Sequence, residues 1–445
     1  MKAGAGKIAL AGWCLLAASP SAAITEEIAA GESVSNGSVN SVVTQQVYGE
    51  TENYSVMGKQ EVMSGGVTHN SNIYSYGQQD VLSGGTSFDT LIQYYAVQNV
   101  DGKAYASSVN SRGVIDVNAG GYVKSTVVNG GSLFIDEGAL AEETVLNSGK
   151  VYLSGKDSAA KISGGTYEIK SGGVSEQAQI SGGLAQVDSG AAINRAVLSD
   201  RGEIEADGTV TDIRIESGGQ MTIHDGGTAT DTTLSGGEMT LDEEAEAYNT
   251  TLLSGTEYVY GTDTGARISG GTQIVEGGGK AAQSIISAGG IQQIGFYGTS
   301  EDVTVENGGT QQVDWEGKAL RTTVSAGGSL AVSAGGTVTD TALSAGNMQV
   351  TGIAKQTTIT GGSLEVSAGG TATDTTLSAG EMQVAGTAKQ TTITGGNLEV
   401  SAGGTATDTT LSAGEMQVAG TAAKTAITGG SLEVSAGGTA TDTTL

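Results

Sequence analysis

Residues 363–380 read SLEVSAGGTATDTTLSAG, and residues 381–396 read EMQVAGTAKQTTITGG. These two units, one of 18 and one of 16 residues, alternate over 329–445 as a 34-residue superperiod. The twenty letters at 367–386 return unchanged at 401–420. Cutting the chain after each Gly-Gly-like mark from Val114 onward gives 19 units of 16 to 19 residues, from 114–131 to 431–445. Each unit carries two short alternating patterns. The first is polar–apolar–polar–apolar, as in Leu133 and Ile135, Met221 and Ile223, and Leu398 and Val400. The second emerges when units are aligned. Val210, Ile213 and Ile215 match Val338, Thr341 and Leu343, and match again Ala319, Thr322 and Val324. Those columns stay apolar or Thr and are expected to point inward, whereas Arg214, Ala342 and Thr323 share a variable column expected to face solvent. Period-two alternation rich in Val, Ile and Thr predicts half-buried strands. Gly-Gly and Ala-Gly-Gly predict tight turns, where Gly accepts positive φ at no steric cost.

A 34-residue period also occurs in helical repeats, but a glycine every eight residues or so rules out long helices. Stacking solves the problem that no single unit can bury its apolar face alone. The expected fold is all-β, a right-handed parallel β-helix (β-solenoid) with 16–19-residue coils, since parallel crossovers favour that hand. Composition agrees: Gly is 73 of 445 residues, Pro is one, and aromatics are 4% against 37% hydrophobic overall, which suits a long body with a narrow core. Residues 24–113 are less regular and hold seven of the 14 tyrosines. They are expected to form the N-terminal β-helix end with a cap and irregular coils, with a loop in the long unit 86–113. The regular solenoid is expected over 114–445.

Residues 1–23 read as a signal peptide. Lys2 and Lys7 form a basic start, an apolar run follows, and Ser21-Ala22-Ala23 is a cleavage site used after Ala23. The single cysteine, Cys14, falls inside it. The mature chain then has 18 basic against 48 acidic residues, a net charge near −30, which argues against nucleic acid as a partner. No later segment reads as a membrane span, so no membrane insertion by this segment is expected.

Little in the chain reads as catalytic. His69 and His224 are the only histidines, and no nucleophile elbow or zinc-binding helix motif is present. Acids stand singly on variable columns apart from DEEAE at 242–246, read as a solvated edge, so a polysaccharide-cleaving β-helix is the weaker alternative. GGTATDTTL at 369–377 approaches the nonapeptide of calcium-binding β-rolls. However, Ala372 replaces its third glycine and the apolar residue comes one place late, so a calcium-dependent surface repeat protein is also an alternative. No cofactor, metal or catalytic residue is expected. What remains is repeated hydroxyl on outward columns: Thr339, Thr373, Thr407 and Thr441, and Thr376, Thr410 and Thr444. They are candidate glycosylation sites.

Units such as GGTATDTTLSGGEMTL (226–241), VSAGGTATDTTLSAG (366–380) and GGTQQVDWEGKALRTTVSAGG (308–328) resemble the repeats of the AIDA-type self-associating autotransporter adhesins of Gram-negative bacteria, the group that includes antigen 43 and the Tib adhesin. The resemblance implies an exported β-helical passenger at the cell surface or outer membrane, or secreted. It implies cell aggregation, biofilm formation and host attachment. Its partners would be itself on neighbouring cells, the host-cell surface, and a cytoplasmic heptosyltransferase that modifies repeat Ser and Thr before export. Members of that family end in a translocator β-barrel; here the last unit stops at Leu445, and the gene is expected to continue into more repeats and a barrel.

Overall fold

A computed structural model describes residues 24–445. Residues 1–23, with the expected leader and the cleavage point after Ala23, lie outside the described residues. The described chain is all β and winds into a parallel β-solenoid of about 23 turns, each coil about 18 residues long.

Each coil has three arms, not the two read from the sequence. In one coil they are Thr310–Val313, Lys318–Leu320 and Thr323–Val324. Every arm pairs in parallel with the same arm one coil on: Thr310 with Ser329, Lys318 with Thr337, and Thr323 with Ala342. In the last coils the second and third arms merge into one strand, Thr371–Leu377, bent at Asp374.

The bend is a left-handed residue, and nearly every coil has one there. Asp302, Asp340, Asp374 and Asp408 stand at φ 56°, 57°, 57° and 54°. Asp and Asn tolerate this conformation better than other non-glycine residues. The inter-coil ladder runs on through the bend, for the Asp302 N–H donates to the Leu320 carbonyl at 3.1 Å. The aspartate of TATDTTL is thus a corner residue, and the corner conformation accounts for its recurrence. Among the described residues no group of three or more His, Cys, Asp or Glu is placed to hold a metal ion.

The Gly-Gly between the first and second arms splits into two jobs. Gly369 takes φ 90°, while a Cβ on Gly370 would strike the Val350 carbonyl oxygen of the preceding coil. The first glycine makes the turn and the second allows coils to approach.

The core is a bundle of columns. The aligned inward residues Val210, Ile213, Ile215, Val338, Thr341, Leu343, Ala319, Thr322 and Val324 are all buried. Residues 24–113, expected as an irregular end, continue the same coil. Thr86–Phe88 pairs with Lys103–Tyr105, which pairs with Tyr122–Lys124, so 86–113 is ordinary coil and not a loop. The irregularity was chemical. On the inward column where later coils carry Leu133 or Leu398, these coils carry Gln45, Gln60, Gln79 and Gln98, all fully buried. Each amide donates to the one before it: Gln60 to Gln45, Gln79 to Gln60 and Gln98 to Gln79, all at 2.8 Å. A coil spacing of about 4.8 Å lets like amides chain along the axis and satisfy one another in a dry interior.

A second amide ladder ends on acids, and this corrects the expectation that Asp and Glu lie only on solvent columns. Gln311 donates to Gln292 at 2.8 Å and Gln292 to Gln273 at 2.7 Å. Gln273 then donates to Glu257 at 2.9 Å and to Asp263 at 2.7 Å. Both carboxyls are fully buried. Burial pushes Glu257 up to about 7. Burial first, and then the negative charge of Glu257, hold Asp263 well above the usual carboxylate range. Asp157, also buried, accepts from the Tyr167 hydroxyl at 2.8 Å, and burial raises it to about 6. These columns are inward, so the sequence pattern of isolated acids gave the wrong face.

Two predictions follow from the corner and the core. Gly370→Ala is expected to destabilise the solenoid by about 3 kcal/mol or more, because backbone has to move, while Gly369→Ala costs about 1–2 kcal/mol for its left-handed turn; thermal unfolding of the two variants checks the order. The buried acids hold protons in the folded state that the unfolded chain releases near pH 4. Their stabilisation is therefore complete below that pH and declines as pH rises through about 6 for Asp157 and about 7 for Glu257. Melting temperature is expected to fall from pH 5 to pH 8. Glu257→Gln extends the amide ladder without a charge, so it is expected to flatten that slope and raise the melting temperature at pH 8.

Candidate functional site

The two outward threonine columns lie on either side of one corner. Thr339, Thr373, Thr407 and Thr441 end the second arm, and Thr376, Thr410 and Thr444 open the third arm, with the left-handed aspartate between them. Thr339, Thr373, Thr376, Thr407 and Thr410 are half-buried; Thr441 and Thr444 are exposed. All face away from the core columns, since the buried neighbours in each coil are Thr341, Thr375 and Thr409.

Register separates the two columns chemically. On the second arm, successive coils place Thr339, Lys355, Thr373, Lys389 and Thr407 next to one another, so hydroxyl alternates with ammonium. The corner residues alternate in step: Asp340, Gln356, Asp374, Gln390, Asp408. The result is a face whose charge changes sign from coil to coil.

On the third arm the hydroxyl row is unbroken over Thr358, Thr376, Thr392 and Thr410. Thr358 and Thr392 were missed in the sequence because they lie in the 16-residue units, whose TAKQTTI differs from TATDTTL. The offset from the corner residue was the available signal: each follows it by two, as Thr376 follows Asp374. Between corner and row runs a shallow groove of roughly 330 Å³, lined by Asp340, Gln356, Asp374, Thr358 and Thr376 among others.

Elsewhere many surface side chains are paired locally. His224 meets Asp242 at 2.8 Å, and that hydrogen bond raises the imidazole pKa. His69 stacks on Phe88 with ring centroids 4.9 Å apart. Glu243, Glu244 and Glu246 are exposed, as expected of a solvated edge. Lys280 and Arg321 converge on Glu301, which their hydrogen bonds hold down to about 2. Among the described residues no helix is long and apolar enough to cross a membrane, a statement that does not bear on β-barrels.

No protein-family model matches the chain, and no curated protein matches it. Among solved structures, a TibA55-350 fragment, hyper-glycosylated by TibC, is 30% identical over 66% of this chain and 93% of that fragment, with a TM-score of 0.32. The Streptococcus pneumoniae surface protein and adhesin PfbA is 9% identical over 85% of this chain and 91% of that one, with a TM-score of 0.11. Neither superposition carries weight. The 30% identity across nearly the whole TibA fragment does. With it, the repeat rhythm and the solenoid place this chain: it belongs to the AIDA-type family of autotransporter adhesin passengers.

Proposed function

We propose that the chain is a non-enzymatic adhesin passenger, exported and displayed at the cell surface or outer membrane. It joins cells to one another in aggregates and biofilm, attaches them to host surfaces, and receives heptose on outward Ser and Thr from a heptosyltransferase before export. The observation that carries this reading is the unbroken row Thr358, Thr376, Thr392 and Thr410 beside a groove, on a chain related to a glycosylated fragment. Successive hydroxyls about 4.8 Å apart offer one acceptor per coil in a single orientation. The second-arm face supports self-association. Lys355 and Lys389 alternate with Asp340, Asp374 and Asp408, so over these five coils a second copy shifted by one coil meets opposite charges. Each exposed pair is weak, and repetition gives avidity. The coupled carboxyls Glu257 and Asp263 are enclosed in the core, out of reach of a glycan.

Intact mass of the passenger from its native host tests the modification. The expected result is added mass in whole multiples of one heptose, lost with the glycosyltransferase gene and reduced when Thr358, Thr376, Thr392 and Thr410 are changed together to Ala. An unmodified mass would contradict it. Settling of cells displaying the chain tests the face. Lys355→Glu with Lys389→Glu makes the face uniformly acidic and is expected to slow settling severalfold at low salt, with unchanged settling as the contrary result.

A further inference from the structure

The tyrosines near the N-terminal end form a surface feature that self-association does not use. Tyr74, Tyr76, Tyr94 and Tyr95 are 40%, 78%, 44% and 40% exposed, all at the corner between the third arm and the next first arm. Tyr76 and Tyr95 stack with centroids 5.5 Å apart, and Tyr94 meets Tyr95 edge-on at 4.3 Å. From the next coil Arg112 reaches back. Its Nη1 donates to both the Tyr94 and Tyr95 hydroxyls at 2.6 Å, and its guanidinium lies 5.2 and 5.5 Å from their ring centres.

Two further observations bear on this cluster. Tyr76, Tyr95 and Arg112 all hold left-handed backbone, at φ 66°, 60° and 60°, where later coils use glycine at the same corner, as at Gly130 and Gly308. A bulky residue there costs on the order of 1–3 kcal/mol, and such strain gathers at binding sites. In addition, the hydrogen bonds of Arg112 go to the two phenols rather than to a carboxylate. Most of its five N–H donors remain free for a planar acceptor.

We propose that Tyr74, Tyr76, Tyr94, Tyr95 and Arg112 form a binding platform for a saccharide that bears a carboxylate. Flat, exposed rings stack on the C–H face of a sugar and lose little entropy in doing so. The guanidinium fork pairs with a carboxylate in two parallel hydrogen bonds. The chain as a whole carries a net charge of −28, so a polyanion lying along it is repelled more than a ligand of single charge. A short oligosaccharide with one carboxylate therefore fits better than a polysulfated chain. The site does not depend on the proposed self-association or glycosylation.

The test is calorimetric titration of the full chain at physiological salt with sialyllactose and with lactose, which differ by the carboxylate-bearing sugar. Saturable binding of sialyllactose, about tenfold or more tighter than lactose, is expected. Arg112→Gln is expected to reduce sialyllactose to the lactose level. Tyr76→Gly relieves the left-handed strain, so it is expected to weaken binding while raising the melting temperature, which separates loss of the site from loss of the fold. Equal affinity for the two sugars, no saturable binding of either, or full binding by Arg112→Gln would overturn the proposal.

Discussion

One constraint governs the molecule: each strand pairs with its own equivalent one coil later, about 4.8 Å along the axis. Like stands on like. Inside, this turns every inward position into a column, and each residue in it must pack against or hydrogen-bond to the ones before and after. Leucine, valine and alanine columns meet that demand by packing. Glutamine columns meet it by chaining amides, as Gln45 to Gln98 do. Outside, the same rule turns a single threonine into a row and an alternating pair of units into alternating charge.

The two kinds of column explain both the reach and the failures of reading this sequence. The repeat, the strand period and the inward Val210, Ile213 and Ile215 were legible because apolar alternation is a direct mark of burial. The N-terminal coils were harder to read because their inward Gln and Thr look like surface residues until they are stacked. Only the coil spacing makes an amide self-satisfying there. Glu257 and Asp263 were misread for the same reason: nothing local distinguishes a buried acid that caps an amide ladder from a solvated one. The third arm was hidden because the corner between it and the second arm is a single left-handed residue, with no glycine to announce it.

Of the outward sites, the columns through Thr376 and Thr410 were legible from the 18-residue units alone. Thr358 and Thr392, which complete that row, required the pairing of long units with short ones. The interruption of the Thr339–Thr373–Thr407 column by Lys355 and Lys389 required it too. The Tyr–Arg cluster was visible only as composition, because its residues come from three coils and meet at a corner.

Every functional face described here depends on that one-coil register, and cysteine pairing tests it most directly. Cys14 is the only cysteine and stands among residues 1–23, so pairs introduced into residues 24–445 are read without a competing thiol once Cys14 is replaced by Ser. Thr376→Cys with Thr392→Cys places two thiols on adjacent coils about 4.8 Å apart, within disulfide reach, whereas Thr376→Cys with Thr410→Cys places them about two coils apart and out of reach. The account predicts an intramolecular disulfide in the first protein and none in the second under mild oxidation. A bond in the second and none in the first would contradict the register, and with it the rows of hydroxyl and charge on which the proposed function rests.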